Sequence, residues 1–320
     1  MGGLRLAFAI IGWALAAAAL VASVLALVGG ASGRLDLFSH FAPFYLAAAL
    51  LALPLSLCGP RRGRIALAAT SCAGALGGAA LMVPEFLAGR NEPVSSPAGK
   101  TLKVVLFNAW RRNAQPEAVT EWLLAQEPDV IVLVEAGAVR DMLRGRGFEA
   151  VCPACRTTLF SRMTPRRIFT GDKGETRSSF LVGATFGDAR GEFTVIGVHR
   201  SWPTKAARRS KEAAEIRAIL DGLPRDRVIL AGDFNSTPWS FVHRREDDLI
   251  GMPRRTRALF SWPAERVSDN RLPAPFPYLP IDHIYAGQGW ATVKVERGPR
   301  LGSDHYPVSV TLAPVESVAK

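Results

Sequence analysis

Three stretches within the first ninety residues carry no charged side chain: 28 residues between Arg5 and Arg34, 24 between Asp36 and Arg61, and 20 between Arg64 and Glu85. A helix needs about 20 predominantly apolar residues to cross a hydrocarbon core, so each gap is long enough to span one. The gaps predict a membrane domain over residues 1–90 with three transmembrane helices, near 6–29, 41–59 and 65–84. A cleaved signal peptide is the rival reading of the first segment, because Arg5 precedes an apolar run. That run exceeds the roughly 7–15 residues of a signal h-region, and two more apolar segments follow it. Gly74, Gly77 and Gly78 lower the hydrophobicity of the third segment, and small residues there suit close helix packing.

Orientation follows from the loops. The second loop carries Arg61, Arg62 and Arg64, whereas Arg34 in the first is offset by Asp36. Positive loops stay in the cytoplasm. With Arg5 also inside, the chain is expected to be a multi-pass protein of the cell membrane whose residues beyond 90 are extracytoplasmic. Residues 91–100, NEPVSSPAGK, read as a polar linker, 101–313 as one domain of ordinary soluble composition, and 314–320 as a tail.

The net charge is +11; residues 1–90 supply six basic and two acidic side chains, or +4, leaving +7 for the remainder. That excess suits an anionic partner such as a nucleic acid or a phospholipid surface. Cys152 and Cys155 form a single CPAC with no second pair to complete a zinc site, so a local disulfide is expected in an oxidising compartment.

Between 101 and 313 the chain repeats one pattern, an apolar strand-like run with a polar residue at or near its end. LKVVLFNAW ends at Asn108, DVIVLVEA at Glu135, FTVIGVHRSWP at His199 and RVILAGDFN in Asp233 and Asn235. YLPIDHIYAG places Asp282 and His283 in a short strand, and LGSDHYPVSVTL sets Asp304 and His305 on the loop before another. Helical spacing over 116–126 and 205–220 between such runs predicts a layered α/β fold. Any one of these polar residues could be a turn residue, but six strand ends alike point to a site.

Glu135 and Asp304 are hard oxygen ligands and Asn108 adds a neutral oxygen, a set that suits Mg²⁺, with Mn²⁺ as its substitute. His199 and His305 can donate to a phosphate or exchange protons near neutrality, with Asp282 or Asp233 fixing a tautomer. The inventory describes attack of water on a phosphate ester.

Asn108, Glu135, His199, the Gly-Asp-Phe-Asn of 232–235, the Ile-Asp-His of 281–283 and the Ser-Asp-His of 303–305 occur in an order that resembles the endonuclease/exonuclease/phosphatase superfamily. Its members include deoxyribonucleases, apurinic endonucleases and sphingomyelinases. The resemblance implies an α/β two-sheet sandwich following the N-terminal transmembrane helices. It also implies Glu135 as main Mg²⁺ ligand with Asn108 and Asp304 beside it, and Asp233 as the acid that orients or deprotonates water. By the same resemblance Asn235 is a phosphate-binding amide, His199 and His305 are phosphate-facing imidazoles, and Asp282 is the acid paired with His305.

Between Glu135 and His199 no tyrosine occurs, unlike in apurinic endonucleases, and long DNA-reading insertions are absent. The three helices and the GDFNSTPWS extension resemble membrane-tethered bacterial members; Trp239 of that extension is assigned to loop packing. The expected function is a membrane-anchored, Mg²⁺-dependent phosphoesterase, a phosphodiesterase or nuclease first. A phospholipid or sphingolipid head-group hydrolase is the second reading. A non-catalytic, membrane-tethered binding module is the third, and its mark would be missing site residues, whereas every expected position is filled.

Overall fold

The computed structural model describes residues 2–88, 100–171, 179–265 and 274–315. All but Lys100 of the expected linker lies outside these, as do residues 316–320 of the expected tail. The chain divides into two compact units, one of Met1–Gly89 with Ser236–Glu246 and the other of Arg90–Asn235 with Asp247–Lys320. The sequence expectation of an uninterrupted 101–313 domain did not contain the transfer of 236–246 to the first unit.

The first unit holds helices α1 (Gly2–Val28), α2 (Ala42–Leu55) and α3 (Arg61–Leu87), with a 3-10 helix at Leu35–Phe41 leading into α2. Three segments, Gly3–Val28, Leu35–Cys58 and Arg61–Leu87, are long and apolar enough to cross a membrane. Arg61, Arg62 and Arg64, expected in a loop, instead form the first turn of α3. Pro60 precedes that turn in extended conformation (φ −65°, ψ 157°), and proline cannot extend a helix backwards. The glycines of α3 allow the close packing their size suggests: a Cβ on Gly74 would sit 3.1 Å from the Leu20 nitrogen, and one on Gly77 2.8 Å from Ser23 Cβ. Ser23 donates its hydroxyl to the Gly74 carbonyl at 3.1 Å, satisfying a polar group that lipid could not.

The second unit is a two-sheet sandwich. Its strands are β1 (Leu102–Asn108), β2 (Val130–Val134), β3 (Glu149–Val151), β4 (Thr157–Ser161), β5 (Arg167–Thr170), β6 (Leu181–Asp188), β7 (Gly191–His199), β8 (Val228–Asp233), β9 (Asp282–Ala286), β10 (Trp290–Arg297) and β11 (Val308–Pro314). Among the described residues they order as β10-β11-β1-β2-β4-β3 in one sheet and β5-β6-β7-β8-β9 in the other. Helices α4 (Pro116–Ala125), α5 (Val139–Arg144), α6 (Ala206–Asp221) and α7 (Phe241–Ile250) complete the chain.

The continuous apolar runs are explained by burial on both faces. Val104, Leu106, Val130 and Val132 meet Val195, Ile229, Ala231 and Ile284 between the sheets. The alternate residues Val105, Phe107, Ile131 and Leu133 pack outward under Val119 and Leu123 of α4 and Leu143 of α5. On the other side Ile196, Val198 and Leu230 are covered by Ile216 and Leu220 of α6. The short elements β3, β4, β5 and α5 did not stand out in the sequence because they carry too few residues for a clear period, and the longer β6, β10 and α7 were not picked out either.

Candidate active site

Register alone brings the polar strand ends into two rows. In the second sheet β7 and β8 run parallel with His199 opposite Asp233, and β8 and β9 run antiparallel with Asp233 opposite Asp282. In the first sheet β1 and β2 run parallel with Asn108 opposite Val134, so Asn108 and Glu135 end neighbouring strands. β11 lies antiparallel to β1 with Val308 opposite Leu106, which puts Asp304 and His305 at the same edge. Gly232 is required where it stands, since a Cβ there would collide with the Val198 carbonyl.

The rows meet in hydrogen bonds. Asn108 donates Nδ2 to Asp233 Oδ2 at 3.0 Å and lies 3.4 Å from His305 Nε2. His305 Nδ1 pairs with Asp282 Oδ2 at 2.8 Å, while its Nε2 lies 3.7 Å from Asp233 Oδ2. His199 Nε2 is 3.8 Å from the same Asp233 oxygen, and its Nδ1 is 3.4 Å from an Arg156 guanidinium nitrogen. Asp233 is thus the hub between two imidazoles. Asn235 donates its backbone N–H to Asp233 Oδ1 at 2.8 Å. Its Nδ2 donates to the Arg200 carbonyl at 3.0 Å and to Asp233 Oδ2 at 3.4 Å. Both Nδ2 hydrogens are therefore directed into the protein, toward Asp233 and its support.

Ser303 ties the loop down: its hydroxyl donates to the Asn108 carbonyl at 2.6 Å and accepts the His305 N–H at 3.1 Å. Glu135 and Asn235 both adopt left-handed backbone, with φ of 52° and 50°. Non-glycine residues there cost of order 1 kcal/mol or more and persist only where neighbours over-determine them, a pattern that clusters at functional sites.

Asp233, Asp282 and His305 are 1 %, 1 % and 4 % exposed, so their charges interact with little screening. Burial pushes the Asp233 carboxyl well above the usual carboxylate range, with His305 and the donors Asn235 and Asn108 opposing and Asp282 adding to the rise. Burial disfavours charge on His305, but the Asp282 and Asp233 carboxylates outweigh it and raise its pKa, so it holds its proton. His199 goes the other way: burial, then the Arg156 charge and its cationic neighbours, hold it well below the ordinary imidazole value.

A stability prediction follows from His199. Its unfolded pKa is about 6.5, so below that pH the unfolded chain binds a proton that the fold refuses. The contribution is present above pH 6.5 and lost as pH falls. Asp233, raised on folding, gives a slope of opposite sign that His199→Gln leaves in place. On acidification from pH 6.5 to 5, wild type is expected to lose stability relative to His199→Gln by up to about 1.4 kcal/mol per pH unit. Thermal unfolding of the full chain across that range checks this, and parallel slopes would refute it.

Two of the expected metal ligands, Glu135 and Asp304, make no hydrogen bond to this hub among the described residues. Glu135 is half-buried and its carboxylate accepts no hydrogen bond among the described residues; its N–H donates to the Arg156 carbonyl at 3.0 Å. Asp304 is half-buried and accepts the Trp262 indole N–H on Oδ2 at 3.0 Å, leaving Oδ1. Asp282 Oδ1 is buried without a hydrogen-bond partner among the described residues. Asp233, Asp282 and His305 bring one ligand atom each within 4.8 Å of one another, a cluster that could hold a cation.

Sequence reasoning missed Arg156, Trp262 and the support under Asn235. Arg156 directly follows the Cys152–Cys155 disulfide, which closes the loop that delivers it. The CPAC motif was therefore the available signal. Trp262 carried none. Trp239, assigned to packing, is fully buried.

A model of the endonuclease/exonuclease/phosphatase family matches residues 105–305. Among solved structures, a family protein from Bacteroides thetaiotaomicron is 16 % identical, covering 68 % of this chain and 96 % of its own, with a TM-score of 0.52. The 3′ phosphatase NExo from Neisseria, bound to a product DNA hairpin, is 18 % identical over 65 % of this chain and 98 % of its own, at a TM-score of 0.51. TDP2 from D. rerio, in complex with single-strand DNA product, is 16 % identical over 67 % and 99 %, at 0.53. No curated protein matches the sequence. The likeness in structure establishes the expected two-sheet α/β sandwich.

Proposed function

The chain belongs to the endonuclease/exonuclease/phosphatase family, and from that premise we propose that this phosphoesterase is a membrane-anchored, Mg²⁺-dependent phosphodiesterase or nuclease. The observation that carries the reading is the Asp282–His305–Asp233 chain, with His305 Nδ1 2.8 Å from Asp282 and both carboxylates raising its pKa. A protonated His305 aims Nε2–H at a phosphoryl oxygen. Asp233, raised toward neutrality by burial, accepts a proton from the attacking water. Neutral His199 donates Nε2–H from the other side, its Nδ1 accepting from Arg156. Asn108 and Asn235 hold Asp233 in place.

In this reading His305 keeps its proton, and the Asp233–Asp282–His305 cluster acts as a proton relay. The bare carboxylate of Glu135 and the spare oxygen of Asp304, with Asn108, fit a hard cation better. Bound there, Mg²⁺ would neutralise charge on a phosphoryl oxygen and ease departure of the leaving group.

A polyanionic substrate is favoured by the cations whose charge reaches His199, Arg156, Arg111 and Arg208. Two structurally similar proteins, NExo and TDP2, are bound to DNA product, which points the same way. The head-group hydrolase is the second reading, favoured by three helices able to hold the site beside a bilayer. Salt separates the two, since polyanion affinity falls as a power of salt concentration set by the number of phosphates contacted. The full chain in detergent should hydrolyse single-stranded or duplex DNA, or bis-p-nitrophenyl phosphate, with Mg²⁺ and lose this with EDTA. Turnover of phospholipid vesicles alone would reverse the ranking, and silence from a folded, Mg²⁺-binding chain on all of these would remove the reading.

Two observations support an extracytoplasmic catalytic unit, the cationic Arg61–Arg64 turn and the Cys152–Cys155 disulfide, since disulfides persist in oxidising compartments. An alkaline phosphatase fused at the C-terminus is expected to be active; an inactive fusion would reverse the topology.

A further inference from the structure

Asp36 is the sole acidic residue between Arg5 and Glu85, and it is 2 % exposed. A buried carboxylate is costly unless donors satisfy it. Its donors come from a segment more than 200 residues away in sequence. Phe241 N–H donates to Oδ1 at 2.8 Å, Val242 N–H to Oδ2 at 2.9 Å and the Ser240 hydroxyl to Oδ2 at 3.1 Å. Ser39, one turn on, adds its hydroxyl to Oδ1 at 2.9 Å. Phe241 and Val242 open α7, and the first amides of a helix have no partner within it. Asp36 therefore supplies from a distance what a capping side chain supplies locally, setting two acceptor oxygens at the positive end of the helix.

His40 holds the same segment nearer its start: the Thr237 N–H donates to Nδ1 at 3.2 Å, and Thr237 Oγ1 lies 2.9 Å from it. Arg244 donates to the Leu81 carbonyl at 2.6 Å. All these residues belong to the N-terminal unit, with Ser236–Glu246 counted in it. Ser236 is joined by a peptide bond to Asn235, whose left-handed backbone directs its N–H onto Asp233. That conformation persists only if both flanks are fixed. Arg209, donating to the Phe234 carbonyl at 2.9 Å, fixes one flank. Asp36 and His40 hold the segment that forms the other.

We propose that Asp36, assisted by His40, is a positioning residue that sets the Asp233–Asn235 loop through the chain running from Asn235 into Ser240–Val242. The N-terminal unit is then a working part of the enzyme rather than an anchor alone. The proposal rests on the phosphoesterase reading for its kinetic consequence, but not for its structural one.

The test uses the full chain in detergent or nanodiscs, with Asp36→Ala, Asp36→Asn, His40→Ala and, as control, the exposed Arg34→Ala. Two readouts are taken, steady-state hydrolysis of bis-p-nitrophenyl phosphate and amide hydrogen exchange. Asp36→Ala is expected to lower kcat about tenfold with KM little changed, the mark of misplaced catalytic groups. Exchange should quicken across 234–243, the Asn235 amide included, with β1 and β2 as protected as in wild type. Asp36→Asn, which keeps one acceptor oxygen, should recover part of both, and Arg34→Ala should match wild type. Quickened exchange confined to 240–243 with wild-type kcat would overturn the proposal. Should Asp36→Ala fail to fold, His40→Ala is read by the same criteria. Coupling that reaches Asn235 in a chain inactive on every substrate would support the anchor and count only against the phosphoesterase reading.

Discussion

Asp233→Asn is expected to lower kcat by about 10³-fold, within the range for removing a positioned general base, while KM moves by less than about threefold. Asparagine keeps the shape but only one acceptor oxygen, so it can accept from Asn108 or from the Asn235 N–H, at 3.0 and 2.8 Å in wild type, but not from both. It cannot take a proton from water. It also removes one of the two carboxylates that hold the proton on His305, so the His305 pKa should fall and the residual rate should decline at lower pH than in wild type. Steady-state kinetics from pH 6 to 10 on the full chain read both effects. A variant with wild-type kcat would remove Asp233 from the mechanism.

Glu212→Ala is expected to cost the catalytic unit about 3–5 kcal/mol, the usual penalty for removing one partner of a buried ion pair. Glu212 Oε2 accepts from Arg200 and from the Ser201 N–H, each at 3.0 Å, and Oε1 accepts from the Ser201 hydroxyl at 2.5 Å and Arg208 at 3.2 Å. Arg200 is 1 % exposed, so water cannot replace the lost carboxylate. With roughly 2–4 °C per kcal/mol for a unit of this size, Tm should fall by about 10 °C. Glu212→Gln, which keeps one acceptor oxygen but not the charge, should lose less. The loss should also reach catalysis, because the Arg200 carbonyl accepts from Asn235 and Arg209 donates to the Phe234 carbonyl. A Tm within about 2 °C of wild type would show the network to be dispensable, since it corresponds to less than about 1 kcal/mol.

The eight residues singled out from the sequence reached their places for different reasons. Asn108, Glu135, His199 and Asp233 were legible because each closes an apolar run, and side-chain alternation along a strand leaves its end as the one place where a polar group escapes the core. The pairings carry no such local mark: that of Asp282 with His305 Nδ1, across 23 residues of sequence, was implied only by the family resemblance, and that of Asn108 with Asp233, across 125, was not legible at all. Asn235 was read as an amide for phosphate, yet its Nδ2 is directed to Arg200 and Asp233, a choice set by neighbours that the GDFN motif does not contain.

The three long apolar helices were legible in the sequence, because charge-free stretches of 20 residues or more are long enough to span a hydrocarbon core, although the helices extend past those stretches to include Asp36, Arg61–Arg64 and Glu85. The sequence by itself determined the layered sandwich, because runs buried on both faces must lie between two other layers. Only the tertiary structure decided that Asp36 is satisfied by Ser240, Phe241 and Val242, and that His305 rather than His199 keeps its proton. Hydrogen-bond donors and neighbouring charges act over a few ångströms of space, and separation along the chain does not encode which groups will share that space.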